Sequence, residues 1–227
     1  MTLRLRSLAI ALLATFTTLG ALSGAARADE ESSQLETRGK ALRYTHKTTD
    51  PASRIDTGGA AIFVNAPIEA VRRVVTDYRH YDTMIRPFKQ SKLLSRSKGV
   101  SEVYLEVPVL HGAATVWVVV NIGQPVKENG EEKIIAKFQR GNVDDFRAVW
   151  RLRAIDAEHT VVKLELLVDP KLPAPASVIT GELTGAADKA VTAVRERAQQ
   201  NKAAATAAVA PAPAADNDKT INVAKRD

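Results

Sequence analysis

Val143-Asp144-Asp145-Phe146-Arg147-Ala148-Val149-Trp150-Arg151-Leu152-Arg153-Ala154-Ile155 separates into two sets by parity. Phe146, Ala148, Trp150 and Leu152 form one set, and Arg147, Val149, Arg151 and Arg153 the other. Such alternation marks a strand with one face in a core and the other in water. Residues 160–169 repeat the division, with Val162, Leu164, Leu166 and Val168 against Val161, Lys163 and Glu165. A sheet that is apolar on one face and charged on the other must press the apolar face on a second layer.

The period of two extends N-terminally through residues 89–97, 100–109, 113–122 and 131–140. Short separators divide these runs: Lys98-Gly99, His111-Gly112, Glu128-Asn129-Gly130, Gly141-Asn142 and residues 156–159. Separators of that length make hairpins, so the sheet is predicted to be an antiparallel meander. In 113–122, Val116, Trp117, Val118, Val119 and Val120 are apolar on both parities, which leaves the side taken by Trp117 open. Residues 35–46 and 54–64 read as two earlier strands joined by a turn around Asp50-Pro51. Asn65-Ala66-Pro67 then stops the strand and starts a helix, along which Ile68, Val71, Val74, Val75 and Tyr78 form one stripe. A second short helical piece covers 81–85. After the break 170–175 a long final helix is predicted from Ala176 to about Gln200. Its stripe is Ile179, Leu183, Ala186, Ala187, Ala190 and Val194, opposite Glu182, Asp188, Lys189, Arg195 and Glu196. Gly181 and Gly185 fall on the outward side of this wheel.

A strand pair, two short helices, a long meander and a closing helix predict an α+β helix-grip fold, a curved antiparallel sheet wrapped around its C-terminal helix. Ile68-Glu69-Ala70-Val71, Val75-Thr76-Asp77-Tyr78 with His80-Tyr81, Pro87, the run from Gly141 to Phe146, Trp150-Arg151-Leu152, and Leu172-Pro173 carry a family resemblance. In order and spacing they resemble the polyketide cyclase/dehydrase and coenzyme Q-binding branch of the START-like (SRPBCC) superfamily, over residues 35–198. The resemblance implies a hydrophobic ligand of the lipid, sterol or isoprenoid class, carried without catalysis. Its alternative is a polyketide cyclase or dehydratase acting in the same hollow. It also implies an entrance covered by Tyr81, Met84, Ile85 and Phe88 as a lid.

A helix laid across a curved sheet fills the concavity only where its inward side chains are large. Ala186, Ala187 and Ala190 are small, and an unfilled void forfeits about 24 cal/mol per Å³ of packing. An apolar guest recovers that loss. The expected ligand-binding lining is Val103, Leu105, Val107, Phe138, Phe146, Trp150, Leu164, Leu183 and Ala187. The competing expectation is that Phe138, Phe146 and Trp150 plug the space and leave a dry core.

The chain has 227 residues, a net charge of +6 and no cysteine. Absence of cysteine excludes disulfides, thiolate metal sites and a cysteine nucleophile. Residues 1–28 have a basic start, an apolar stretch from Leu8 to Leu22 and the small-residue ending Ala26-Arg27-Ala28, the three-part pattern of a cleaved secretory signal. A periplasmic or secreted location is therefore expected, and the remaining charge is roughly +3. Residues 29–200 are expected to form the domain, and 201–227, rich in Ala and Pro, a disordered tail.

No H-E-x-x-H, G-x-S-x-G or phosphate-cradling glycine loop occurs, and His46, His80, His111 and His159 are scattered. Asp77, Asp82, Glu106 and His111 are the acid and base candidates for an enzymatic reading, and nothing in the sequence selects them. No metal or redox cofactor is implied. Outward Lys133, Lys137, Arg147, Arg151, Arg153 and Lys163 predict a basic sheet face without stacking aromatics, which argues against nucleic acid. That face, and Arg79, Arg86, Lys89 and Lys92 near the entrance, read first as solvated surface, with transient contact with an anionic membrane or envelope polymer as the alternative. The oligomeric state is not fixed by these features.

Overall fold

The two segments of opposite-faced alternation are neighbouring strands, paired antiparallel with Trp150 beside Leu164 and Phe146 beside Val168. They belong to a nine-stranded antiparallel sheet in the computed structural model, which describes residues 19–48, 53–86 and 88–209. The strands are β1 (Leu42–His46), β2 (Thr57–Val64), β3 (Gln90–Ser97), β4 (Val100–Val109), β5 (Ala114–Ile122), β6 (Val126–Glu128), β7 (Glu131–Gly141), β8 (Val143–Ala154) and β9 (Thr160–Pro170). Their spatial order is β1-β2-β9-β8-β7-β5-β4-β3, with β6 added to β7. From β3 to β9 the chain meanders, and β1-β2 joins the far edge through β9. The helices are α1 (Leu19–Arg38), α2 (Ile68–Val75), α3 (Tyr81–Met84) and α4 (Ala176–Val209). This is the helix-grip architecture that the patterning predicts.

α4 lies chiefly along β2 and β9 and also meets α2. Its close approach depends on Gly58 of β2, where a Cβ would stand 2.7 Å from the Thr184 backbone nitrogen. Leu183, Ala187, Ala190, Val191, Val194 and Ala198 are buried along its inner flank. α2 adds Ala70, Val71, Val74 and Val75 to the core, matching the predicted stripe. Arg72 on its other side pairs with Glu132 at 2.6 Å and fastens α2 to β7.

Four local expectations are corrected. Residues 35–38 are the end of α1, not the start of a strand. Leu35 is the anchor, packed with Ala61 and Val161 on the outer face of the sheet. Glu31 meets Lys163 at 2.7 Å and Arg153 at 3.1 Å, and Arg153 also donates to the Ala28 carbonyl at 3.1 Å. Second, Val126–Glu128, outside the predicted strands, form β6, which pairs with β7 through the expected turn at Asn129-Gly130, whose φ angles of 51° and 78° form the left-handed pair that a tight hairpin demands. Third, α3 stops at Met84, and Ile85 is extended. Fourth, α4 runs on to Val209, so residues 201–209, expected in the disordered tail, are helical. Their alanines are the strongest helix formers. Residues 210–227 of the expected tail and 1–18 of the expected signal lie outside the described residues. No described helix is long and apolar enough to cross a membrane.

The outer face is not a free basic platform. Arg151 pairs with Glu165 and Glu131, Lys133 with Glu128, Arg147 with Asp145, and Arg153 and Lys163 with Glu31. Of the six cations predicted on this face, five are matched by an acid on the same or a neighbouring strand or on α1, arrangements that parity alone does not reveal. Trp117 also takes this side, stacked on Tyr104 with centroids 6.2 Å apart.

Candidate functional site

Because α4 sits over β2 and β9, the concave side of β4, β5, β7 and β8 is not filled by it. A cavity of about 370 Å³ opens there. Strand parity supplies its floor: Leu105 beside Val118, Val107 beside Val116, Ile134 beside Trp150, and Ala148 beside Leu166. Small side chains keep it open, with Ala136 and Ala148 paired on the sheet and Ala186 and Ala190 on the helix.

The wall after α2 is aromatic. Tyr78, Tyr81 and Phe88 follow one another with ring centroids 5.8 and 5.7 Å apart. The Tyr81 hydroxyl donates to the Val75 carbonyl, which fixes the ring against the end of α2. Burial holds the Tyr81 phenol well above its ordinary range, and burial pushes Tyr78 up to about 12. Both phenols are therefore neutral at physiological pH.

The mouth has two unlike lips. On one side are the exposed Arg43 of β1 and the exposed Gly181, Glu182 and Lys189 of α4, with Gly185 beside them. On the other are the half-buried Phe88, Pro108 and Val109. Nothing lies within 4 Å of a Cβ built on Gly181 or Gly185.

Of the expected lining, Leu105, Val107, Phe146, Trp150, Leu164 and Leu183 line the cavity. Three residues are placed otherwise. Val103 is enclosed in the core beyond Leu105, and Ala187 is fully buried on the flank of α4 that presses the sheet. Phe138 packs against the core next to the register shift between β5 and β7, where Arg140 and Phe138 pair with Val119 and Val120 and Gln139 is left over. Of the expected lid, Tyr81, Ile85 and Phe88 line the cavity, whereas Met84 packs against the core. Tyr81 and Ile85 are buried wall, and Phe88 alone of these reaches the lip.

Sequence reasoning missed Val116, Val118 and the charged lip. The valines were masked by the two-sided apolar run of β5. Arg43, Glu182 and Lys189 carry no signal until the roll of α4 is known. Gly181 and Gly185 were expected to face away from the cavity, and instead border its mouth.

The acid and base candidates do not meet in the cavity. Asp77 pairs with His80 at 2.8 Å, and Glu106 with Lys89 at 3.0 Å and the Tyr104 hydroxyl at 2.8 Å. Lys89, then Tyr104, hold the Glu106 carboxyl below its usual range. Asp82 is exposed on α3, and the His111 side chain lies outside the described residues. Among the described residues no cluster of His, Asp and Glu is arranged to hold a metal ion.

A curved antiparallel sheet, a closing C-terminal helix and an apolar hollow between them define a START-like domain. The family described as polyketide cyclase / dehydrase and lipid transport matches residues 64–195, more than half of the chain, and the chain belongs to it. No curated protein sequence matches it. Similar solved structures include a START superfamily protein from Mycobacterium smegmatis, with a TM-score of 0.55 and 17% identity over 64% of this chain and 98% of that one. A STAR-related lipid transfer protein from Xanthomonas axonopodis gives 0.57 and 16% over 70% and 94%. A human lipid transfer and protein localization domain gives 0.54 and 15% over 81% and 98%. At these identities the likeness is one of fold. The fold supports hydrophobic ligand binding or cyclase-type activity, and the family holds both.

Proposed function

We propose that this protein is an exported carrier that takes up a hydrophobic small molecule in the cavity under α4 and releases it unchanged. The observation that carries the reading is the contrast between wall and lip. About 370 Å³ is enclosed by aliphatic and aromatic side chains, and the charged lining groups stand only at the mouth. An engineered apolar cavity of about 150 Å³ already binds benzene, and small-molecule sites begin at about 300 Å³. Burial of the guest at about 25 cal/mol per Å² supplies the affinity.

Carriage is favoured over cyclisation because proton transfer needs a group within hydrogen-bond reach of the substrate. The ionisable groups inside are phenols held neutral by burial. Export follows from the leader pattern of residues 1–28, with Asp29 as the first residue after processing. Arg86, exposed two residues before Phe88 of the apolar lip, suits contact with an anionic bilayer during loading.

Organic extraction of purified protein followed by mass spectrometry tests the reading. A stoichiometric apolar compound is expected, chemically identical to what a donor vesicle supplied. A clean extract together with no uptake from vesicles, or a guest returned in altered form, contradicts it. N-terminal sequencing of the exported protein is expected to begin at Asp29.

A further inference from the structure

Resting on the carrier reading above, we infer that the guest is a single-chain anionic amphiphile. Its hydrocarbon fills the cavity, and its carboxylate stays at the mouth on Lys189. The volume of about 370 Å³ corresponds to roughly a dozen water-sized units of about 30 Å³ each. That is ample room for one medium-length hydrocarbon chain.

The polar end meets no cation inside. The Tyr81 hydroxyl is already committed to the Val75 carbonyl, and the ionisable groups on the inner wall are Tyr78 and Tyr81. A carboxylate drawn between Trp150, Phe146 and Leu164 would lose its hydration with no cation to meet it, a large penalty for a buried charge. The head is therefore left where the cavity meets water.

At that boundary the helical lip offers one uncommitted cation. Arg43 is held by Asp188, with Nη2 and Oδ2 2.5 Å apart. Lys189 lines the mouth beside Ala186 and Ala190 and has no ion-pair partner among the described residues. Glu182, the acid lining this lip, lies two helical turns away, about 10 Å along the axis, near one Debye length in physiological salt. The facing lip, Phe88, Pro108 and Val109, is uncharged and suits the first methylenes of the chain.

Delipidated full chain titrated with dodecanoate and with dodecanol, both below micelle formation, tests this. Dodecanoate is expected to bind more tightly than dodecanol, with the gap narrowing in 1 M salt. Lys189→Ala should weaken dodecanoate about two- to fivefold and leave dodecanol unchanged, and Lys189→Glu should weaken dodecanoate further. If dodecanol binds as tightly as dodecanoate, or Lys189→Ala affects both alike, the placement of the head at Lys189 is overturned while the cavity stands. If neither compound nor any other apolar probe binds, the carrier reading itself falls.

Discussion

Ala186 and Ala187 are adjacent on α4, yet one faces the hollow and the other is closed against the sheet with none of its surface exposed. Ala186→Phe is expected to project its ring into the cavity and weaken binding of an apolar probe at least tenfold. Its unfolding free energy should move by less than about 1 kcal/mol, since a ring added to open space creates no overlap. Ala187→Phe should instead destabilise by about 1–3 kcal/mol or more through overpacking. Urea denaturation of the two variants, read with a probe titration, separates these outcomes. Tyr81 and Tyr78 give a pH signature. Each ionises at higher pH folded than unfolded, so above about pH 10 the unfolded chain releases protons first and is favoured. Their contribution is complete below that pH and is lost as pH rises, for Tyr78 towards about 12. Stability should fall between about pH 10 and 12, and Tyr81→Phe should lose less over that interval while costing about 1 kcal/mol at pH 8 through the lost hydrogen bond to Val75. At this scale parity identified Leu105, Phe146, Trp150 and Leu164. It did not separate Ala186 from Ala187, because 100° of helix rotation matters only once the roll of α4 is known.

Among the elements, the strands β3, β4, β5, β7, β8 and β9 were legible because period-two alternation and short turns act together, whereas the three-residue β6 is too short to show a period. α1 was not. Residues 29–38 hold one leucine among polar side chains, with no stripe to mark a helix. The segment is placed by tertiary contacts instead: Leu35, 2% exposed, and the Glu31 pairs with Arg153 and Lys163. Leu35→Ala should therefore cost about 2–4 kcal/mol in urea unfolding without changing guest affinity, since α1 and the cavity lie on opposite faces of the sheet. An equal loss of affinity would show that α1 shapes the hollow. The extension of α4 to Val209 was visible as an alanine run, but composition had placed it with the proline-rich residues that follow.

For the molecule as a whole, fold and family were readable from the order of elements, while the chemistry of the mouth was not. Arg43 and Lys189 are far apart in sequence and border one mouth only because β1 and α4 lie side by side. Carriage requires an apolar space that accepts a guest. The most direct measurement is titration of delipidated protein with a fluorescent hydrophobic probe, comparing wild type with Ala186→Phe at matched thermal midpoints. The account predicts saturable one-to-one binding by wild type and its loss in the variant. Wild-type protein that binds no probe, or a variant that binds it equally well, would contradict it.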